Sequence, residues 1–228
     1  MVNRKPKDMP SNKTFNGRWN PLKVLFLDHQ MNIDPYRIID RIDSFNNMAS
    51  YRQTMIAWRR QYTYAIPSDR IHSEIKRICG DKIVEMGAGT GYWAKYLSQF
   101  DINIIAFDKK ETRVEYCDDV YYSDIFEGTE EVLGEYSKYA LMLVWPPYNE
   151  PFDYNCLKAY QGNYLIYVGE GYGGCTGDDD FFNLIEEEWE IVHCSYDCLN
   201  FFGIFSFETI YKRKSPYHPE VPLESEIY

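Results

Sequence analysis

The chain has 228 residues, of which 45% are hydrophobic and 17% aromatic, and its formal net charge is -11. This length and composition are typical of one globular domain with an extension. The negative charge opposes a long contact with a nucleic-acid backbone, because such contacts need many Lys and Arg side chains. No apolar run approaches the roughly 20 residues of a membrane helix, and the N-terminus lacks the apolar segment of a signal peptide. We therefore expect a cytoplasmic protein with no membrane partner.

The first part of the chain is interpreted as an arm followed by a helical cap, together covering residues 1–61. Residues 1–20 are rich in Asn, Lys and Pro without a hydrophobic period, which predicts a loosely ordered arm. Apolar residues at three- and four-residue spacing then predict helices in "PLKVLFLDHQ", "PYRIIDRIDSF" and "MASYRQTMIAWRRQY", with prolines at two of the starts. A further helix is predicted in "IPSDRIHSEIKRICG", with Ser68 as its N-cap and Gly80 at its end.

From residue 81 onward, short apolar runs alternate with helical patterns. Continuous apolar runs that alternate with single helices are typical of a parallel sheet covered on both faces, so we predict a doubly wound α/β core over 62–214 and a tail over 215–228. The strand-like runs are "KIVEM", "INIIAFD", "DVYYSD", "YALMLV" and "YLIYVGE", and the helical ones are "YWAKYLSQF", "TEEVLGEY", "FDYNCLKAY" and "DDFFNLIEEE". "WEIVHCSYD" and "NFFGIFSFETIYK" follow, joined by a short turn and therefore predicted to be antiparallel.

The first strand of this core runs directly into "EMGAGTGYWA", which has glycine at every second position. Glycine tolerates positive φ and lets a ligand approach the backbone closely, so Gly87, Gly89 and Gly91 predict a turn that binds a nucleotide or nucleoside. The next strand ends in Asp108, at the spacing of about 20 residues where an acid accepts both ribose hydroxyls. The alternatives are a tight turn without a ligand and an Asp that only caps a helix.

"VEMGAGTGYWAKYL" resembles the first motif of the class I S-adenosylmethionine-dependent methyltransferases, including the acid Glu85 two positions before the first glycine. The resemblance covers about residues 62–212 and implies a Rossmann-like fold, with a mostly parallel seven-stranded sheet and a C-terminal antiparallel hairpin. It also implies S-adenosylmethionine as the cofactor. By similarity, the ribose would lie on Asp108, and the adenine amino group would lie against Asp124, at the end of "DVYYSD".

The stretch "LMLVWPPYNE" is a strand that stops at two prolines, which cannot donate to a sheet ladder. "WPPY" resembles the Asn/Asp/Ser-Pro-Pro-Tyr/Phe motif of methyltransferases that act on amino nitrogens, and this resemblance places Trp145, Pro146 and Tyr148 at the methyl-transfer site. The chain departs from that motif at its first position, where Trp145 has an indole N–H and no acceptor. Trp145 is expected to wall or stack against an apolar or planar substrate; a core tryptophan beside a plain strand stop is the alternative.

Two further segments are expected to border the same pocket. "YTYAIPS" is similar to the segment that lies over the cofactor in related methyltransferases, which assigns Tyr62, Tyr64 and Pro67 to a lid; an aromatic cluster that packs the cap onto the core is the alternative. "YVGEGYGGCTGDDDFF" follows the fifth strand, where closely spaced glycines predict a shaped loop and Glu170 is a candidate base or cation ligand. The acids at 178–180 are interpreted as a helix start.

Other charged and metal-type residues give little indication of a site. Local groups of basic residues, such as Arg59 with Arg60, are interpreted as solvated surface charge, with a nucleic-acid patch as the alternative. His193, Cys194 and Cys198 match no zinc spacing, so no metal is predicted. The six cysteines are expected to be reduced.

Three functional hypotheses follow from these patterns. The first is a methyltransferase that acts on a small molecule or a protein side chain. The second is a nucleic-acid amino-methyltransferase of the adenine N6 type, favoured by "PPY" and opposed by the negative charge and by Trp145. The third is a protein that binds S-adenosylmethionine without catalysis. The acceptor and the oligomeric state are left open.

Overall fold

The computed structural model describes residues 14–28, 45–109, 117–118, 120–201 and 203–215. A short hairpin of β1 (Thr14–Phe15) and β2 (Arg18–Trp19) precedes the cap helices α1 (Pro21–Asp28) and α2 (Phe45–Gln61). The prediction of a loose arm is wrong for 14–20, because this segment packs on the core: the Gln99 side chain exchanges two hydrogen bonds with the backbone of Trp19. Residues 1–13, nearly all of "PYRIIDRIDSF" and almost the whole predicted tail lie outside the described residues.

The elements after the cap alternate between strand and helix, as the sequence predicts. In chain order they are α3 (Ile71–Cys79), β3 (Lys82–Met86), α4 (Tyr92–Leu97), β4 (Asn103–Asp108), β5 (Phe126–Glu127), β6 (Ala140–Val144), α5 (Phe152–Ala159), β7 (Tyr164–Gly169), α6 (Asp179–Glu188), β8 (Trp189–Ser195) and β9 (Phe207–Arg213). Two 3-10 segments, Ser98–Phe100 and Glu130–Glu135, lie between them.

The last seven strands form one sheet in the order β5-β4-β3-β6-β7-β9-β8. The pairs from β5 to β7 are parallel, whereas β9 is antiparallel to both of its neighbours. This is the doubly wound, Rossmann-like architecture with an antiparallel C-terminal hairpin that the sequence predicts, so that expectation is confirmed. The order reverses between β3 and β6, and in such sheets ligands bind at the carboxyl ends of the strands beside that point.

The central strands of the sheet are buried on both faces, and their side chains alternate between the two. Ile83, Met142 and Ile166 face a core shared with the cap and α3. Their neighbours Val84, Leu141 and Leu165 face a second core under α5 and α6. A sheet covered in this way leaves its carboxyl edge as the place where polar side chains can meet a ligand.

Two predicted local features on the cap side of the sheet are wrong. Ser68 does not cap α3: the N-cap is Arg70, and Ser68 instead donates its backbone N–H and its hydroxyl to the buried carboxylate of Glu208. "DVYYSD" is not a strand in its described residues, because it packs against the cap, with Tyr122 stacked on Tyr62 at 6.0 Å between ring centroids. The strand that pairs with β4 comes slightly later, as β5.

Two other predicted elements are present but differ from the prediction in helix type or in the length of a connection. "TEEVLGEY" forms a 3-10 segment instead of an α-helix, in a run that contains a glycine, the poorest helix former after proline. The connection between β8 and β9 spans residues 196–206, so the antiparallel pair is confirmed but its turn is not short.

Gly80 ends α3 with φ of 87°, as predicted. In the described ranges, no helix has the length and apolar character that a bilayer crossing requires.

Candidate functional site

A cavity of about 360 Å³ opens at the carboxyl ends of β3, β4 and β6, against the end of α2. Nine of the residues assigned to a site from the sequence line it: Tyr62, Tyr64, Glu85, Gly87, Gly89, Asp108, Trp145, Pro146 and Tyr148. The cavity thus joins the glycine turn, the acid at the end of β4 and the proline turn in one place.

The glycine turn has the backbone conformation that only glycine adopts without strain. Gly87, Gly89 and Gly91 have φ of 71°, 56° and 70°, and an added Cβ at Gly87 would lie 3.1 Å from the ring of Phe152. Asp108 fixes the turn from the neighbouring strand, since its Oδ2 accepts a hydrogen bond of 2.6 Å from the Gly89 N–H. The turn and the acid are therefore one unit, with Asp108 only 4% exposed at the cavity wall.

Glu85 is a deeply buried acid that lines the cavity. It is 1% exposed, and its Oε2 has no hydrogen-bond partner among the described residues. Burial raises the pKa of Glu85 to about 8, the charge of Asp108 adds to this rise, and the Ala94 backbone N–H opposes it. A buried acceptor without a partner is costly, so this oxygen favours a ligand that donates a hydrogen bond to it.

Trp145 forms the wall of the cavity on the side of the proline turn. Its backbone has φ of 51°, and its N–H donates to the Val168 carbonyl at 2.7 Å. The indole Nε1 donates to Ser206 Oγ at 2.7 Å, and the ring lies 5.6 Å from the ring of Tyr64. Because the single indole N–H is bound to Ser206, the ring presents only carbon surface to a ligand.

The proline turn itself is held from the next loop. Tyr148 forms an isolated bridge with Gly177, and the Asn149 N–H donates to the Gly177 carbonyl at 3.2 Å. Tyr148 is 65% exposed, at the mouth of the cavity. The turn is therefore a rim held by backbone contacts, with the exposed aromatic side chain of Tyr148 at its outer edge.

Four predicted site residues do not line the cavity: Pro67, Gly91, Asp124 and Glu170. Glu170 is buried and uses both oxygens on the backbone: Oε2 accepts from Cys175 N–H at 2.7 Å and Oε1 from Phe205 N–H at 2.8 Å. It thereby joins the glycine-rich loop to the connection before β9. The acids at 178–180 do start a helix, as predicted, with Asp178 Oδ1 accepting from Phe181 N–H at 2.8 Å.

Several lining residues have no signal in the sequence that would identify them. They include Arg59, Thr63, Lys109, Cys117, Phe152 and Cys175. The interpretation of Arg59 as solvated surface charge is wrong, because the residue lines the cavity and stacks over Tyr64. Its position depends on how the cap meets the core, which local periodicity does not report. Within the described ranges, no group of three or more His, Cys, Asp or Glu side chains is arranged to hold a metal ion.

Comparison with known proteins gives similarities of fold only. No protein-family model matches the chain. No curated protein matches it either. Among solved structures, a S-adenosylmethionine-dependent methyltransferase from Anabaena variabilis is similar at 12% identity, over 73% of this chain and 93% of that one, with a TM-score of 0.43. An O-methyltransferase from Bacillus cereus, in complex with S-adenosylhomocysteine, is similar at 13% identity, over 78% and 96%, with a TM-score of 0.44. A putative type 11 methyltransferase from Sulfolobus solfataricus is similar at 14% identity, over 68% and 99%, with a TM-score of 0.43.

Proposed function

We propose that this protein is an S-adenosylmethionine-dependent methyltransferase that acts on a small molecule or a protein side chain. The observation that supports the proposal is the cavity itself, which joins the positive-φ glycine turn, Asp108, Glu85 and the proline turn at the switch point of the sheet. Beside the turn, the buried carboxyl group of Glu85 has an oxygen without a hydrogen-bond partner among the described residues, and this supports a ligand in the cavity.

The residues present fit this cofactor. Asp108 offers a carboxylate at the cavity wall to ribose hydroxyls, and hydrogen bonds to a charged acceptor contribute roughly 1.5 to 3 kcal/mol each. Glu85 Oε2 is an open acceptor for a further donor of the ligand. Gly87 and Gly89 expose backbone where a side chain would obstruct close approach.

Bound S-adenosylmethionine supplies an electrophilic methyl group on a sulfonium. The contribution of the chain is mainly to orient the acceptor and exclude water, since correct alignment at about 3 Å supplies much of the rate of such a displacement. Trp145 and Tyr64 offer aromatic faces to a positive centre. Trp145 and Pro146 form a fixed wall next to the end of β6, with Tyr148 at the rim.

The amino-methyltransferase hypothesis gains nothing from this geometry. In that motif, the first side chain accepts a hydrogen bond from the target amino group, whereas the Trp145 indole has no acceptor and donates its single N–H to Ser206. A flat carbon surface at this position suits a planar or apolar acceptor better.

The first test is calorimetric binding of S-adenosylmethionine and S-adenosylhomocysteine to the wild type and to Asp108→Asn. We expect the substitution to weaken binding at least tenfold, because it removes a charged acceptor. The matched control is Asp101→Asn, an exposed aspartate that precedes the same strand at the opposite edge of the sheet.

Each outcome of this test has a distinct meaning. Equal binding by wild type and Asp108→Asn would contradict the assignment of Asp108, and no binding by folded wild-type protein would contradict the proposed cofactor. Binding without transfer of labelled methyl groups to any pool of small molecules or proteins would favour the non-catalytic alternative.

A further inference from the structure

Two adjacent arginines at the end of α2 differ in what they contact. Arg60 Nε donates to Asp118 Oδ1 at 2.8 Å and forms an ion pair with it. Arg59 lines the cavity, with its guanidinium carbon 5.1 Å from the centroid of the Tyr64 ring. The Arg59 Nε is buried and has no hydrogen-bond partner among the described residues. In the part of the chain that the structure describes, Arg60 is thus paired with a protein carboxylate, whereas Arg59 pairs with none.

An unpartnered guanidinium donor at a cavity wall is informative because guanidinium is charged at every relevant pH. Leaving a buried donor unsatisfied costs free energy, which a ligand acceptor would recover. The planar fork of guanidinium matches a carboxylate, which it can hold through two parallel hydrogen bonds. Stacking over Tyr64 restrains the plane of the Arg59 fork, so less side-chain entropy is lost when it binds.

The charges around the cavity restrict where a ligand carboxylate can lie. Asp108 and Lys109 line the side formed by the glycine turn, and the negative charge of Asp108 there offsets the attraction of Lys109 for a ligand carboxylate. Arg59 belongs to the end of α2, where its guanidinium lies over the Tyr64 ring, and the Tyr64 ring in turn neighbours Trp145. A ligand carboxylate is therefore best placed over Tyr64, at Arg59.

We propose that Arg59 is the carboxylate-binding residue of the cavity. This inference rests on the proposed function and extends that function by naming a group that the ligand must carry. Two sources of that carboxylate share the same chemistry: the amino-acid end of the cofactor and an acidic group on the methyl acceptor.

The first arm of the test separates these sources with two nucleosides. S-adenosylhomocysteine carries the amino-acid carboxylate, and 5′-methylthioadenosine lacks it. If the cofactor is the source, Arg59→Gln weakens binding of S-adenosylhomocysteine roughly 10- to 100-fold, the value of a charge-assisted hydrogen bond, and leaves 5′-methylthioadenosine unchanged. Arg59→Lys restores part of the affinity because it keeps the charge but loses the fork.

The second arm covers the acceptor as the source. Wild-type protein saturated with S-adenosylhomocysteine is titrated with benzoate and with benzamide, which has the same shape without the charge. Benzoate binding that exceeds benzamide binding, and that Arg59→Gln removes at unchanged affinity for S-adenosylhomocysteine, assigns the carboxylate to the acceptor. The matched control in both arms is Arg60→Gln, which removes the same charge one residue away and is expected to change each affinity by less than about twofold.

The results that overturn the inference are equally specific. The inference is overturned if Arg59→Gln changes neither the affinity for the nucleosides nor the affinity for benzoate. It is also overturned if the variant loses affinity for S-adenosylhomocysteine and 5′-methylthioadenosine equally, which would indicate a general disturbance of the cap. Failure of the proposed function has a different signature. In that case wild-type protein binds neither nucleoside, and Arg59 is then tested by benzoate against benzamide without cofactor.

Discussion

Glu85 and Glu170 are two buried glutamates at the carboxyl edge of the same sheet, one at the end of β3 and one directly after β7. Both oxygens of Glu170 accept backbone N–H groups, whereas Glu85 leaves Oε2 without a partner and lines the cavity. The difference shows that the position of an acid at a strand end does not by itself identify it as a ligand-binding residue. Glu170 stabilises the loops around the cavity, and Glu85 is available to a ligand.

The largest expected effect concerns Glu85→Gln and the dependence of stability on pH. Burial raises the pKa of Glu85 to about 8, so between the unfolded value and pH 8 the folded state keeps a proton that the unfolded state has released. Stability therefore falls as pH rises through this window, and Glu85→Gln removes that fall. Since one pKa unit corresponds to about 1.4 kcal/mol, the variant should be more stable than wild type by a few kcal/mol at pH 8 and similar at pH 5.

Urea unfolding at pH 5, 6, 7 and 8 measures this difference. The exposed Glu127 on β5 provides the control, and Glu127→Gln should stay within about 0.5 kcal/mol of wild type at every pH. Asp153 and Glu208, whose pKa burial raises to about 7, keep the remaining pH dependence in all variants. A constant difference between Glu85→Gln and wild type from pH 5 to 8 would contradict the raised pKa.

The next effect concerns Glu170→Gln. The amide has only one acceptor oxygen, so the N–H of Cys175 or of Phe205 loses its partner, which costs about 1 to 3 kcal/mol. We expect a lower melting temperature and faster proteolysis in residues 171–177, with affinity for S-adenosylhomocysteine changed by less than about twofold. Glu190→Gln, an exposed change on β8, is the control. Unchanged stability with abolished methyl transfer would instead return Glu170 to the role of a base.

The smallest effect concerns the hydrogen bond that fixes Trp145. Trp145→Phe and Ser206→Ala each remove one partner of the 2.7 Å bond between Nε1 and Oγ. A double-mutant cycle built on thermal or urea unfolding should give a coupling of about 1 kcal/mol between them. Independent, additive effects of the two substitutions would mean that the bond does not hold the Trp145 ring in place.

The sequence predicts the glycine turn and Asp108 better than it predicts the parts of the site near the cap and the loop after β7. Gly87 and Gly89 provide a local backbone conformation, and Asp108 lies at the end of a strand. Short segments of sequence are enough to predict a turn of this kind and a strand end. The surroundings of Arg59 and Glu170 depend on which loop or cap segment packs beside them. Residue spacing therefore could not predict that Arg59 lines the cavity or that Glu170 accepts backbone N–H groups.

The sheet follows the same rule. Continuous apolar runs identify β3, β4, β6 and β7, because a strand buried on both faces has few polar positions. "DVYYSD" has comparable β propensity, yet its Tyr122 stacks on Tyr62 and donates its hydroxyl to the Gln61 carbonyl at the end of α2, and the two-residue β5 takes the place beside β4. Tertiary packing overrides propensity at this edge of the sheet.

The most direct test of the account is a crystal structure of the protein with S-adenosylhomocysteine. The account predicts the nucleoside in the cavity, with its ribose hydroxyls on Asp108, its amino-acid end between Glu85 and the cap, and its sulfur facing Trp145 and Pro146. A nucleoside bound elsewhere on the protein, or bound in the cavity with its ribose away from Asp108, would contradict it.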